Sequence, residues 1–256
     1  MKLENRVAIV TGASAGLGKA YVEEFVREGA KVVFAARSAA KGKAIEESLK
    51  SQGYDVLFVH CDVSKEEDVR NVVFQTVKTY GRIDILVNNA QATSGDASHP
   101  AFIETTPMET VKLCWETGFL GTFMFMQQCI PYMKEQGYGR IINTASSTGV
   151  KGMATFAAYG SQKEAIRGLT RVGATELGAY GITVNCICPG ALTDASKLWK
   201  ELDPAGYEAA VSTQPIHRLG DPHTDIAPAV VFLASEDSRY VNGQTICLDG
   251  GNTMMQ

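Results

Sequence analysis

The chain lacks a basic excess. Its 256 residues carry 24 Lys and Arg against 28 Asp and Glu, for a net charge of −4. No basic run stands out, so nucleic-acid binding has no electrostatic footprint. Long hydrophobic runs are also missing, and no apolar stretch approaches the length of a membrane span. The opening residues, Met1 to Arg6, lead straight into a short strand-like run and lack the pattern of a secretory signal. The six cysteines (Cys61, Cys114, Cys129, Cys186, Cys188 and Cys247) show no Cys-x-x-Cys spacing. The expectation is free, mostly buried thiols in a reducing cytoplasm, with neither disulfides nor a metal site. No linker, composition shift, internal repeat or low-complexity tract divides the sequence, which predicts one domain over 1–256. Hydrophobic residues at 45% and charged residues at 20% suit a globular protein with a substantial core.

What is present is an alternation of strands and helices. Arg6–Val10 reads as a buried strand, apolar after Arg6 and rich in β-branched residues. Thr11-Gly12-Ala13-Ser14-Ala15-Gly16-Leu17-Gly18 follows, then helical spacing over Lys19–Glu28 with a stop at Gly29. Strand, glycine-rich turn and helix are the parts of a dinucleotide site. Glycines let the backbone approach a pyrophosphate, and the helix start offers free N–H groups and a positive dipole end. The bland reading is a tight strand-to-helix turn. The second strand, Lys31–Ala36, ends in Arg37-Ser38 with no carboxylate. An acidic side chain there accepts from ribose hydroxyls, whereas an arginine pairs with an extra phosphate. Arg37 and the missing acid favour NADP(H) over NAD(H), unless Arg37 is simply a solvated surface charge.

The pattern continues with a helix over Ala39–Gln52, a strand over Val56–Val59, and Ser64-x-x-Glu67, which predicts a capping box opening a helix over Lys65–Tyr80. Asp62, at a strand end, either accepts from an adenine amino group or caps its loop. The fourth strand, Ile83–Val87, closes on Asn88-Asn89-Ala90-Gln91, whose asparagines can bridge backbone groups. Gln91–Pro107 reads as a loop bordering the substrate. Met108–Lys134 is a long helical region that Gly118 and Gly121 are expected to interrupt with a bend. A fifth strand from Gly139 ends near Ser146, and Phe156–Tyr180 is a helix. After a sixth strand, Ile182–Ile187, Ala195–Leu219 reads as a substrate-covering segment with helical parts. Asp225–Ala234 is a helix and Gln244–Leu248 a last strand. The fold class is α/β: a Rossmann-type, doubly wound, mostly parallel sheet with helices on both faces.

Within this frame, Tyr159 and Lys163 are four apart on one helix, so hydroxyl and ammonium can meet in one pocket. A phenol has a pKa of about 10, and a fixed cation nearby favours its ionised form. Such a pair can move a proton on and off an alcohol, and Ser146 can hold the substrate oxygen. Taken alone, the Tyr-x-x-x-Lys spacing is common by chance.

Together the motifs resemble the short-chain dehydrogenase/reductase family along nearly the whole chain. The matching residues are Thr11-Gly12-x-x-x-Gly16-x-Gly18, Asp62-Val63, Asn88-Asn89-Ala90, Ser146, Tyr159-x-x-x-Lys163, Pro189-Gly190 and the closing Gly243-Gln244…Asp249-Gly250-Gly251. The resemblance implies Tyr159 as acid/base, Lys163 on the nicotinamide ribose and Ser146 orienting the substrate oxygen. It implies cofactor contacts from Gly12, Ser14, Gly16, Leu17 and Gly18 on the pyrophosphate side. Arg37 and Ser38 would lie beside the adenosine ribose, Asp62 and Val63 at the adenine, and Asn89 and Ala90 along the wall. Pro189, Gly190, Leu192 and Thr193 would lie near the nicotinamide. A small-molecule carbonyl or alcohol substrate and a homo-oligomer, two-fold or four-fold, are further implications.

Three positions depart from the family pattern. Gln91 replaces the usual glycine, Gly118 an asparagine of the proton relay, and Asp194 a threonine that neighbouring Thr193 can replace. The reading is therefore an NADP-preferring enzyme interconverting a secondary alcohol and a ketone. The alternative is a catalytically weak NADP-binding sensor or assembly protein. Leu198, Trp199, Leu202, Tyr207, Val211 and Ile216, with Phe102, Met153 and Phe156, either line an apolar pocket or pack the covering segment onto the core. A bulky alicyclic or steroid-like ketone and an acyl thioester ketone both suit such a pocket.

Overall fold

The computed structural model describes residues 1–92 and 100–255, without the side chains at 194 and 195. The loop expected over Gln91–Pro107 therefore lies partly outside the described residues. Seven strands form one all-parallel sheet: β1 (Val7–Thr11), β2 (Lys31–Ala36), β3 (Val56–His60), β4 (Ile85–Asn88), β5 (Gly139–Thr144), β6 (Ile182–Pro189) and β7 (Thr245–Leu248). Their spatial order is β3-β2-β1-β4-β5-β6-β7. The order reverses between β1 and β4, and the carboxyl ends of those two strands open a crevice, the usual ligand position in such sheets.

The strands read as unbroken apolar runs because both faces are covered. Ala8 and Val10 of β1, with Val32 and Phe34 of β2, face a core shared with α1 (Gly16–Arg27) and α10 (Ala227–Ala234). Ile9, Val33 and Ala35 face the other core, under α3 (Glu66–Tyr80) and α5 (Gly121–Gln136). Alternate residues of one strand thus serve opposite cores, as the two-residue strand period requires. Each large side chain removed from water adds roughly 1.5–3 kcal/mol.

Between these lie α2 (Ala39–Ser51), α4 (Met108–Cys114), α6 (Ser147–Lys151) and α7 (Ala157–Leu177). After β6 come α8 (Asp194–Leu202) and α9 (Pro204–Ser212), within the segment expected to cover the substrate. The helix before Gly29 ends as expected, with Gly29 at φ +89°.

One expectation fails and another is met in an unexpected form. The capping box at Ser64 does not form: α3 takes Lys65 as its N-cap, one residue later and without a side-chain cap, and the Ser64 hydroxyl donates to Asp62 Oδ1 (2.7 Å). Gly118 and Gly121 do mark an interruption of the α-helix, but one that keeps helical angles. A π-helical segment, Trp115–Leu120, joins α4 to α5, and the junction residues keep right-handed helical angles. The glycines there serve close approach. A Cβ on Gly121 would lie 3.1 Å from Val63, and one on Gly118 would lie 2.1 Å from Gln162 Oε1.

Candidate active site

The crevice deepens into a cavity of about 600 Å³. At its floor the turn after β1 is held by a small hydrogen-bond web. Asn89 N and Ala90 N both donate to Thr11 Oγ1 (3.0 Å each), while Asn89 Nδ2 donates to the carbonyls of Thr11 (3.0 Å) and Gly12 (3.3 Å). Asn89 thus bridges backbone groups, as the strand-end asparagines suggested. Gly12 adopts φ +67°, and a Cβ there would sit 2.7 Å from Ala90 Cα. Gly18 is as tightly placed: its Cβ would meet the Gly12 carbonyl oxygen at 2.5 Å.

This packing aims the start of α1 at the cavity, which Gly12, Ser14, Ala15, Gly16 and Leu17 line. Ala15 occupies the N-cap position and supplies no side-chain cap. The first N–H groups of α1 are therefore available to an anion. A Cβ on Gly16 would point into open space, but its φ of +53° favours glycine.

Arg37 and Ser38 line the same cavity at the end of β2. Ser38 caps α2, accepting from Lys41 N (3.4 Å). Arg37 is exposed and near Asp62, on which its charge acts. Burial alone would raise the Asp62 carboxyl. The two hydrogen bonds from Ser64 and the charges of Arg37 and Lys65 outweigh it and hold that carboxyl below its ordinary value. Asp62 is thus both a loop-closing acceptor and a cavity wall, so the two readings of it are compatible.

On the far side, Ser146, Tyr159, Pro189 and Thr193 line the cavity. Ser146 lies just past β5 as the N-cap of α6 and accepts from Thr148 N (3.2 Å). That bond uses its oxygen and leaves its O–H to donate elsewhere. Thr193 caps α8 in a reciprocal capping box with Ser196. Tyr159 and Lys163 stand one turn apart on α7, with Lys163 Nζ 5.5 Å from the Tyr159 ring centre. Lys163 is 1% exposed and donates to the Thr144 carbonyl (2.7 Å). Its pKa falls below the ordinary lysine value because burial penalises the charge, partly offset by Tyr159 and nearby thiols.

Four of the residues named from the sequence do not line the cavity: Gly18, Lys163, Gly190 and Leu192. Gly18 and Lys163 stand behind its wall. Gly190 is tied to Leu248 and Gly220 through its backbone, and Leu192 N donates to the Gly220 carbonyl (2.8 Å). The apolar set expected to line a pocket or pack the covering segment divides. Phe156 lines the cavity, and Tyr207 and Val211 are buried. Phe102, Met153, Leu198, Trp199, Leu202 and Ile216 are exposed in this conformation.

Three further neighbours complete the site: Gln91, which the sequence marked only as a departure from the family pattern, and Thr117 and Gln162, which it did not single out. Gln91 Nε2 donates to the Tyr159 hydroxyl (3.3 Å). Thr117 lines the cavity and accepts from Ala92 N (3.1 Å). Gln162, beside Lys163, is 1% exposed, and its carboxamide fills the space that a side chain at position 118 would need. A large polar residue at 162 opposite a glycine at 118 is the signal that could have exposed this exchange of volume.

A family model described as "Enoyl-(Acyl carrier protein) reductase" matches residues 12–253. An uncharacterized oxidoreductase, YxjF, from Bacillus subtilis is 38% identical over 98% of this chain and 99% of its own length. A 12alpha-hydroxysteroid dehydrogenase from a Clostridium species is 36% identical, covering 97% of this chain and 96% of its own. The crystal structure of levodione reductase superposes with a TM-score of 0.89 at 32% identity, covering 97% of this chain and 98% of that one. With the parallel sheet, the glycine turn and the Ser146, Tyr159 and Lys163 cluster at one crevice, these matches establish that the chain belongs to the short-chain dehydrogenase/reductase family of NAD(P)(H)-using oxidoreductases.

Proposed function

We propose that the protein is an NADP(H)-preferring enzyme interconverting a secondary alcohol and a ketone, with Tyr159 as the acid/base group. The observation that carries this reading is the convergence of the Ser146 and Tyr159 hydroxyls on the cavity that the start of α1 also lines. The residues present fit a dinucleotide: an uncapped helix start for the pyrophosphate, with Arg37 placed for a ribose phosphate. Gly12, Ser14, Gly16, Leu17 and Gly18 shape the pyrophosphate turn. Ser38, Asp62, Val63, Asn89 and Ala90 form the adenosine side and wall. Pro189, Gly190, Leu192 and Thr193 border the nicotinamide.

Bound NADP(H) supplies or accepts the hydride. In the reductive direction the Ser146 O–H holds the carbonyl oxygen and Tyr159 gives that oxygen its proton. In the oxidative direction Tyr159 takes the alcohol proton. The buried Lys163 orients the ribose side of the site and places positive charge beneath Tyr159.

A bulky alicyclic ketone is the substrate class we favour, since the similar 12alpha-hydroxysteroid dehydrogenase is named for a steroid. Residues 195–219 act as the substrate-covering segment of a single domain that works in the cytoplasm as a homo-oligomer. No described helix is long and apolar enough to cross a membrane.

The test is NADPH oxidation with a panel of alicyclic and steroid ketones. Activity is expected with the wild type and a loss of about 10²–10⁴-fold in Tyr159→Phe. Full activity in that variant would overturn the assignment of Tyr159.

A further inference from the structure

Tyr159 has a polar neighbour that the charge pattern of the site does not require. Gln91 follows β4 directly, and the backbone is pinned on both sides of it. Ala90 N donates to Thr11 Oγ1 (3.0 Å) and Ala92 N donates to Thr117 Oγ1 (3.1 Å). With both flanks fixed, the direction of the Gln91 side chain is set by β4 and by the π-helical segment that carries Thr117. The carboxamide lines the cavity, and its Nε2–H points at the Tyr159 hydroxyl oxygen (3.3 Å). Its Oε1 is buried and has no hydrogen-bond partner among the described residues. A buried carbonyl without a donor costs stability. Among the described residues, the hydrogen bond that the Gln91 side chain makes is the one to Tyr159.

The geometry points to Gln91 as a positioning residue for Tyr159: its N–H donates to the phenol oxygen and holds the hydroxyl in one orientation. This rests on the reading of Tyr159 as the acid/base group. Other titratable groups face the same ring. Lys163 stands beneath it on α7. Cys114 of α4 packs in the same cluster, its thiol pushed up by burial. Lys163 acts through charge at 5.5 Å from the ring centre, whereas Gln91 acts through a direct contact with the oxygen. A donor to the oxygen stabilises the ionised phenol, and its removal destabilises that form. The carboxamide also fixes the direction of the oxygen lone pairs. The tyrosine proton then has a defined orientation, away from Gln91.

The test reads the tyrosine itself and uses the protein without substrate or cofactor. Tyrosinate absorbance is followed against pH in the wild type, Gln91→Met and Gln91→Glu. Each is measured against the same protein carrying Tyr159→Phe, so that the difference reports Tyr159 alone. Gln91→Met keeps length and volume but removes the donor, and the midpoint is expected to rise by about one pH unit. Gln91→Glu places a negative charge against the phenol, and the rise is expected to be larger. An unmoved midpoint in Gln91→Met would show that the contact does not act on Tyr159. A lower midpoint would show that the carboxamide presents its carbonyl to the phenol. Either result overturns the proposal. The outcome is independent of turnover: activity surviving in Tyr159→Phe removes the functional reading, while an unmoved titration removes only the role of Gln91.

Discussion

The two ends of the sheet handle buried charge in different ways. At the amino end, charges are buried and paired. Asp84, fully buried, accepts from Val7 N (2.9 Å) and from Arg82 Nε (2.8 Å) and Nη2 (2.6 Å), with Arg6 Nη1 at 3.5 Å. Arg140, 3% exposed, donates to the carbonyls of Gly139, Gly181 and Ser235 and pairs with Glu236. Arg6 and Arg140 also lie on the Tyr138 ring, at 3.8 and 4.4 Å from its centre. At the carboxyl end, polar groups keep spare capacity. Lys163 is buried with one hydrogen bond to Thr144, and the side-chain oxygens Gln91 Oε1, Gln162 Oε1, Asn88 Oδ1 and Thr144 Oγ1 have no partner among the described residues. The first arrangement is compatible with a stable fold, since a buried charge is tolerated when paired and costly when one partner is lost. The second leaves valence for a ligand and costs stability, as functional sites commonly do.

This contrast can be broken most forcefully at the amino end. Asp84→Ala would strand the guanidinium groups and the Val7 N–H around it. A loss of about 3–5 kcal/mol in unfolding free energy is expected. The folded fraction should keep the wild-type KM for NADPH, because the site lies at the opposite sheet edge. Chemical denaturation and steady-state kinetics on the same preparation would check both halves.

Arg37→Ala probes the carboxyl end, where the guanidinium lines the cavity. Losing a charge-assisted phosphate contact of about 2 kcal/mol should raise KM for NADPH roughly 30-fold. KM for NADH and the melting temperature should stay nearly unchanged. An equal rise for both cofactors would remove the basis for an NADP preference.

Lys163→Met sharpens the comparison in the other direction. It should abolish ketone reduction yet raise stability by about 1 kcal/mol, because an apolar side chain replaces a buried ammonium. The sign of its pH dependence follows from the lowered pKa. Wild-type folding bears the full burial penalty below the depressed folded value and sheds it as pH rises toward the ordinary lysine value of 10.5. The advantage of the variant should therefore shrink with rising pH in thermal melts across that range.

Much of the site was legible because it is written in local spacing. The turn from Gly12 to Gly18 and the Tyr159–Lys163 pair each depend on residues within a few positions, so a strand–turn–helix or one helical turn places them. Arg37 was legible by its position at a strand end. The failures are equally physical. Ser64 and Glu67 match a capping pattern, but α3 takes Lys65 as its N-cap, which leaves Ser64 one residue outside the cap position. Gly118 looks like a helix breaker, yet its conformation is helical and the missing side chain makes room for Gln162. The apolar residues around Leu198 and Trp199 suggested either a pocket lining or packing of the covering segment onto the core, yet both are exposed, since an amphipathic helix can turn such residues outward as readily as inward.

The sequence by itself determined the order of strands and helices, the anion-ready start of α1 and the one-turn spacing of Tyr159 and Lys163, because each follows from backbone geometry over a few residues. Only the tertiary structure decided that Gln91 meets the Tyr159 oxygen, 68 residues away in the chain, and that Gln162 takes the volume Gly118 vacates. Those contacts arise where β4, α7 and the π-helical segment converge, and their distances depend on how the sheet packs the helices rather than on any local pattern.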